Sequence, residues 1–227
     1  MDSRNIIIIW HGLICPSSGE CEMSEEIKCK VVTWSEIDRW AEQVSGKITE
    51  SGYKPDVVVG LSRGGWVPAR ILCDQLVCKN LFSIKVEHWG ITAQTDMKAK
   101  LVQELVVDIK GKKILLVDDI TDTGDSLDLS IAHVRSKGPA DVRCATLLHI
   151  SHSKVVPDFY GAEVRKENWR WFIFPWNFKE DLRNLTGKLE GNPNDAETIV
   201  DLLWTRYEIK ESEQVMKAVL AHLKEQG

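Results

Sequence analysis

Two continuous apolar runs decide what this chain can fold into. Val57-Val58-Val59-Gly60-Leu61 and Ile114-Leu115-Leu116-Val117 contain no polar residue, the pattern of strands buried on both faces rather than one. Each leads through a Gly-containing turn into a helical pattern, over about Val67–Val77 after the first run and Ser126–Lys137 after the second. Strand–turn–helix units in series give an α/β fold, a mainly parallel sheet flanked by helices, and ligands of such sheets bind beyond the carboxyl ends of the strands. Further strands are expected at Lys28–Val32, Phe82–Val86 and Val142–Ile150, with another at Leu101–Val107 after a polar loop over Ile91–Lys100.

Thr33 and Glu36 have the spacing of a capping box, and Ile37, Trp40, Ala41, Val44 and Ile48 give the helix they open, running to about Ser51, one apolar face. With 227 residues, 43% of them hydrophobic, the chain can bury one principal core plus an appendage, not two full domains. The character changes beyond Tyr160, where Trp169, Trp171, Phe172, Phe174, Trp176 and Phe178 crowd together around Pro175. From Asn192-Pro193 onward two helices are expected. Asn194, with Glu197 three residues on, caps the first, and the second carries Val215, Met216, Val219, Leu220 and Leu223 on one face. The expected divisions are a tail over 1–22 ahead of Met23, a core over 23–160, an aromatic hood over 161–187 and a helical appendage over 188–227.

A net charge of -5 argues against a nucleic-acid surface, which needs clustered Lys and Arg; from Lys188 onward five basic side chains face eight acidic ones. Six cysteines without a CxxC pair suggest neither a zinc ribbon nor a disulfide framework and fit a reducing cytoplasm. The apolar stretch Ile6–Cys15, broken by His11 and Gly12, is too short to span a membrane, and no clear A-x-A-like cleavage site follows it.

The segment Ile114 to Ser126 carries the chemistry. Asp118, Asp119, Asp122 and Asp125 place four carboxylates at the end of a buried strand, where they repel one another unless a cation or a polyhydroxylated ligand is shared between them. Asp122-Thr123-Gly124-Asp125-Ser126 then offers successive backbone N–H groups and two hydroxyls at a helix N-terminus, a place for a phosphate dianion. Taken residue by residue, solvated acids followed by an ordinary N-cap would also account for them. Upstream, Ser62-Arg63-Gly64-Gly65 follows the other buried strand. Two glycines allow a backbone to approach an anion closely and Arg63 supplies fixed positive charge, although a plain strand-to-helix turn has the same look.

Four apolar residues, two acids and a Thr/Gly loop resemble the motif that binds phosphoribosyl pyrophosphate (PRPP) in type I phosphoribosyltransferases, a Rossmann-like fold. The resemblance covers about Val31–Asp181 and is closest to the xanthine-guanine (6-oxopurine) enzymes. It implies that Asp118 and Asp119 face the ribose hydroxyls and a magnesium ion, and that Asp122 to Ser126 wrap the 5-phosphate. Asp122 would also meet N7 of a purine as its catalytic acid or base. Ser62 to Gly65 would be the pyrophosphate loop, with a non-proline cis peptide between Ser62 and Arg63, and Gly90–Lys100 a loop closing over the site. Trp171 would stack on the base while the backbone at Phe172 reads its edge. PRPP and a free purine base would be the substrates, with a homo-oligomer as the working state and neither nucleic acid nor membrane as partner.

One position departs from the pattern. Where the bacterial relatives carry a lysine directed at the exocyclic 6-oxygen, this chain has Ile150, with His149, His152 and Lys154 nearby as substitutes. A non-catalytic PRPP sensor of the same fold, a transferase for adenine or a pyrimidine, and a purely structural sheet protein are the rival readings. The sensor would add a nucleic-acid-binding segment, the paired tryptophans disfavour another base, and the structural reading leaves the acids unexplained.

Overall fold

The computed structural model of the protein describes residues 27–88 and 99–226; the expected tail and most of the expected closing loop lie outside them. In chain order the elements are β1 (Cys29–Val31), α1 (Trp34–Glu50), β2 (Val57–Ser62), α2 (Trp66–Gln75), β3 (Leu81–His88), β4 (Ala99–Gln103), β5 (Lys113–Thr121), α3 (Asp125–Ser136), β6 (Asp141–Ile150), β7 (Phe159–Val164), β8 (Trp171–Ile173), α4 (Phe178–Thr186), α5 (Ala196–Tyr207) and α6 (Glu213–Gln226). Six strands form one sheet in the order β4-β3-β2-β5-β6-β7, parallel except where β4 runs antiparallel to β3. β2 and β5 are adjacent and central, with Gly60 opposite Val117, so both expected turns emerge at one edge of the sheet.

The capping box forms as its spacing predicts: Glu36 N–H donates to the Thr33 hydroxyl at 3.3 Å and Thr33 N–H to the Glu36 carboxylate at 3.0 Å. All five apolar-face residues of α1 are buried. The helix lies against β6 and β7, and Gly161 makes the approach possible, because a Cβ there would stand 2.6 Å from Trp40 Cβ and 2.7 Å from the Leu147 carbonyl oxygen. β7 was not expected from the sequence. It is an edge strand with one fully buried residue, Phe159, so it carries no continuous apolar run.

Most strand ends differ from expectation by a residue or two, and three boundaries differ for reasons the packing shows. The strand expected at Leu101–Val107 is shifted to Ala99–Gln103, and so takes in the last two residues of the expected polar loop. Its apolar signal came from Leu105, which is buried in the core on the α3 side and donates its N–H to His133 Nε2 (3.1 Å) instead of to β3. β5 runs on through Asp118 and Asp119 to Thr121, since β6 is long enough to pair with it as far as His149. α2 stops at Gln75 because Val77 turns left-handed at φ 56, which lets Cys78 N–H bond back to the Cys73 carbonyl at 2.9 Å. Val77 is 83% exposed, so its β-branched side chain gains nothing there. Val77→Gly is expected to stabilise the fold by about 1 kcal/mol net of the added freedom of the unfolded chain, a rise of roughly 2–4 °C in a thermal melt.

The hood is a second, smaller layer. β1 and β8 pair in parallel, Cys29 opposite Trp171, and side chains alternate along β8. Trp171 and Ile173 pack with Leu182, Leu203 and Val215 in a core shared with α4, α5 and α6, whereas Phe172 and Phe174 join Ile37 and Leu147 over the end of the main sheet. Helices α5 and α6 therefore share a core with the hood. α5 is capped by Asp195, not Asn194, because it is the Asp195 carboxylate that reaches Thr198 N–H (2.8 Å). In α6, Val215 and Val219 are buried and Met216 and Leu223 partly so, but Leu220 is exposed, off the stripe that α4 and α5 cover.

Candidate active site

The acid pair stands where β5 passes its neighbours. Asp119 is buried and Asp118 half-buried. Asp119 Oδ1 accepts the Ile120 N–H (2.9 Å) and Oδ2 accepts the Trp176 indole N–H (3.0 Å); Asp118 Oδ1 accepts the Asp119 N–H (3.0 Å). Burial pushes both carboxyls above the usual range, Asp118 the more strongly because Asp119 lies beside it, while the Trp176 bond works against the rise at Asp119. Trp176 is itself stacked on Phe174 at 5.0 Å and meets Trp34 edge-on at 6.0 Å, so the sheet end and the hood together hold this carboxylate. Among the described residues no three His, Cys, Asp or Glu side chains converge into a complete metal cage. Two adjacent carboxylates that burial makes costly to ionise are oxygen ligands of the kind a magnesium ion takes.

The double-glycine turn touches the acids directly. A Cβ on Gly64 would lie 2.2 Å from Asp119 Oδ2, and one on Gly65 would lie 2.3 Å from the Val117 carbonyl oxygen and 2.8 Å from Asp118 Cα. Both glycines are therefore required by close approach. The Ser62–Arg63 peptide bond is cis. Arg63 turns to the hood, where its Nη2 donates to both oxygens of Glu180 at 2.9 and 2.8 Å.

The Asp122–Ser126 loop opens α3 with Gly124 left-handed at φ 87, and the Thr123 hydroxyl donates to Asp125 Oδ2 (2.9 Å) while accepting the Asp125 N–H (3.3 Å). Gly124 is also a contact point: a Cβ there would meet Ser153 Oγ at 2.8 Å. Asp122 points away from this turn. Its carboxylate accepts the Trp169 indole N–H at 3.2 and 3.3 Å and lies 2.9 Å from His152 Nε2.

Of the residues near the expected lysine position, Ile150 is wholly buried and presents nothing to a ligand. His149 is buried against the Tyr160 ring (5.1 Å), kept below its ordinary pKa by desolvation, and its Nδ1 has no partner. Lys154 pairs with Asp125 at 2.5 Å. Only His152 is brought to Asp122.

Trp171 is half-buried against the hood core and its Nε1 donates to Asp181 Oδ1 at 3.3 Å. Asp181 is pushed up to about 6 by burial and by Glu180 and Asp119, against the Trp171 bond. Four of these contacts are not among the sequence expectations: Trp169 on Asp122, Trp176 on Asp119, Glu180 on Arg63 and Asp181 on Trp171. The first three span 47, 57 and 117 residues, and the aromatic crowding between Trp169 and Phe178 was the one available signal.

Residues 30–183 match the model of the phosphoribosyl transferase domain family. The chain is 29% identical over 146 residues to a xanthine-guanine phosphoribosyltransferase of Gluconobacter oxydans, covering 64% of this chain and 83% of that enzyme. Its fold is similar to that of a purine phosphoribosyltransferase from Pyrococcus horikoshii, with 32% identity, a TM-score of 0.57 and coverage of 66% and 94% of the two chains. A Helicobacter pylori xanthine-guanine-hypoxanthine phosphoribosyltransferase, at 21% identity and a TM-score of 0.53 over 70% and 99% of the two chains, shares the fold. A mainly parallel sheet that brings an acid pair, a double-glycine turn and a loop with a left-handed glycine to one end, with a family match across all three, makes this chain a phosphoribosyltransferase of the type I fold.

Proposed function

We propose that the enzyme joins a free 6-oxopurine (hypoxanthine, guanine or xanthine) to the ribose 5-phosphate of PRPP, releasing pyrophosphate, as a step of cytoplasmic nucleotide salvage carried out by a homo-oligomer. The observation that supports it most is the contact of Gly64 with the Asp119 carboxylate, because it sets an anion-accepting turn directly against a cation-accepting acid pair. In this reading Ser62, Arg63, Gly64 and Gly65 hold the pyrophosphate. Arg63 exchanges the Glu180 carboxylate for a phosphate oxygen, one anion replacing another. Asp118 and Asp119 face the ribose hydroxyls and would hold magnesium, which when bound offsets charge on the departing pyrophosphate. The loop Asp122 to Ser126 wraps the 5-phosphate, its backbone N–H groups facing the anion at the N-terminus of α3. Lys154, held at Asp125, keeps a positive charge beside that site.

As the bond from C1 of the ribose to pyrophosphate breaks, the purine N9 lone pair forms the new bond, and the proton carried on N7 passes to Asp122. Trp171 stacks on the base and the Phe172 backbone reads its edge. Positioning and exclusion of water supply most of the acceleration. Because protons compete with a cation for Asp118 and Asp119, magnesium-dependent binding of PRPP strengthens as pH rises through their elevated pKa values.

The test is pyrophosphate release with PRPP, magnesium and each free base in turn; release with a 6-oxopurine is expected. Binding of PRPP with no release for any base would make the chain a sensor, and release with only adenine or a pyrimidine would move the base assignment. Trp171→Ala is expected to weaken nucleoside monophosphate binding by about 5- to 150-fold, from stacking worth about 1–3 kcal/mol, with a smaller loss for PRPP, both read by calorimetry. Equal losses would place the stacking face elsewhere, with Trp169 the next residue to replace.

A further inference from the structure

The neighbours of Asp122 have no role in the reaction as described so far, and their arrangement is built, not incidental. His152 lies in the turn after β6, and that turn is fastened on both sides. Toward β7, Ser151 N–H donates to the Val164 carbonyl (2.9 Å) and the Ser151 hydroxyl accepts the Lys166 N–H (3.0 Å). Toward the phosphate-type loop, Lys154 N–H donates to the Thr123 carbonyl (3.2 Å), and Ser153 lies against Gly124, where only a missing Cβ leaves it room. His152 is thus held with Nε2 2.9 Å from Asp122 Oδ1, its side chain 31% and that of Asp122 38% exposed, so the pair remains open to a ligand. A carboxylate acceptor fixes the imidazole tautomer: Nε2 carries the proton and donates it. Trp169, donating to both carboxylate oxygens, fixes the carboxylate plane from a second direction.

The product is an acceptor and a donor side by side. A purine presents N7 and its 6-substituent side by side on one edge, and there a 6-oxo group accepts a hydrogen bond whereas a 6-amino group donates one. A base that gives its N7–H to Asp122 takes the place of His152 at that carboxylate, and the Nε2–H so released donates to a 6-oxygen beside N7, which makes the two pairs complementary. A 6-amino group in the same place sets donor against donor.

We propose that His152 is a specificity-determining residue, reading the 6-oxygen of the incoming base next to Asp122. The inference rests on Asp122 facing N7, as in the proposed function. The order of discrimination is that of a site whose polar group is left unpaired by the wrong substrate.

The test compares wild type with His152→Ala and His152→Lys, measuring KM and kcat for hypoxanthine, adenine and unsubstituted purine, and PRPP affinity by calorimetry. His152→Ala is expected to raise KM for hypoxanthine at least about tenfold, to leave unsubstituted purine nearly unchanged and so to erase most of the preference between them. His152→Lys, which keeps a donor and cannot accept, is expected to retain the preference for hypoxanthine over adenine. An equal loss for all three bases in His152→Ala would reduce His152 to a support for Asp122 and overturn the proposal, as would an unchanged hypoxanthine KM. If the wild type releases pyrophosphate with no 6-oxopurine, the proposed function itself fails, a result distinct from either.

Discussion

The double substitution Asp118→Asn/Asp119→Asn is expected to lower magnesium-dependent PRPP affinity by at least about 100-fold, the scale of leaving a buried charge without its partner, while the unliganded chain becomes no less stable near neutral pH. The two effects have one cause. Burial raises both carboxyls above their ordinary value of 3.8, and Asp118 further because Asp119 lies beside it, so the folded chain binds these protons more tightly than the unfolded one. An acid raised in this way favours folding when protonated; the stability is present at low pH and declines as pH rises from the unfolded value through the elevated one. Near pH 7 the ionised pair is thus a cost that a bound cation relieves. Neutral amides remove the cost and the cation together. One acceptor is lost, because Asp119 uses one oxygen for Ile120 N–H and the other for Trp176 and an amide has a single oxygen. Calorimetry with PRPP and magnesium, paired with chemical denaturation of the unliganded proteins, checks both halves. Unchanged PRPP affinity in the double mutant would remove these acids from the site.

What could be read in advance follows from how local each signal is. The capping box at Thr33, the five buried residues of α1 and the strand–turn–helix units at Val57 and Ile114 are set by neighbours within one turn or one strand, and periodicity reports such neighbours directly. β7 escaped because an edge strand with Gly161 under α1 is shaped by its partner rather than by its own pattern. β5 outruns its apolar run for a related reason: charge at Asp118 and Asp119 reads as a strand end, yet β6 pairs beyond it as far as His149. The hood shows the limit most clearly. Its crowded rings were visible in sequence, but which indole meets which carboxylate depends on the parallel pairing of β8 with β1, some 140 residues away in the chain. Trp171, Trp169 and Trp176 accordingly meet Asp181, Asp122 and Asp119, an assignment that spacing along the chain does not contain.

Asp122→Asn is expected to reduce turnover by at least about 100-fold, the low end for a positioned acid or base, with PRPP affinity changed by less than about fivefold, roughly 1 kcal/mol. The separation follows from where the residue stands. Its backbone begins the loop whose αL residue, Gly124, and internal Thr123–Asp125 bonds do not involve its side chain, so the phosphate-type site survives the change. The carboxylate faces the other way, accepting from Trp169 and lying 2.9 Å from His152 Nε2. An asparagine still accepts from one of these donors through its oxygen, but its amide nitrogen then confronts the other and cannot take the proton from N7. Steady-state rates with saturating base, set against calorimetric PRPP affinity, separate the two roles. Near-normal turnover would leave Asp122 a loop residue with the proton handled by another group. A collapse of PRPP affinity alongside turnover would show that backbone and side chain cannot be separated, and the division of labour between the Thr123–Ser126 loop and the Asp122 carboxylate would have to be abandoned.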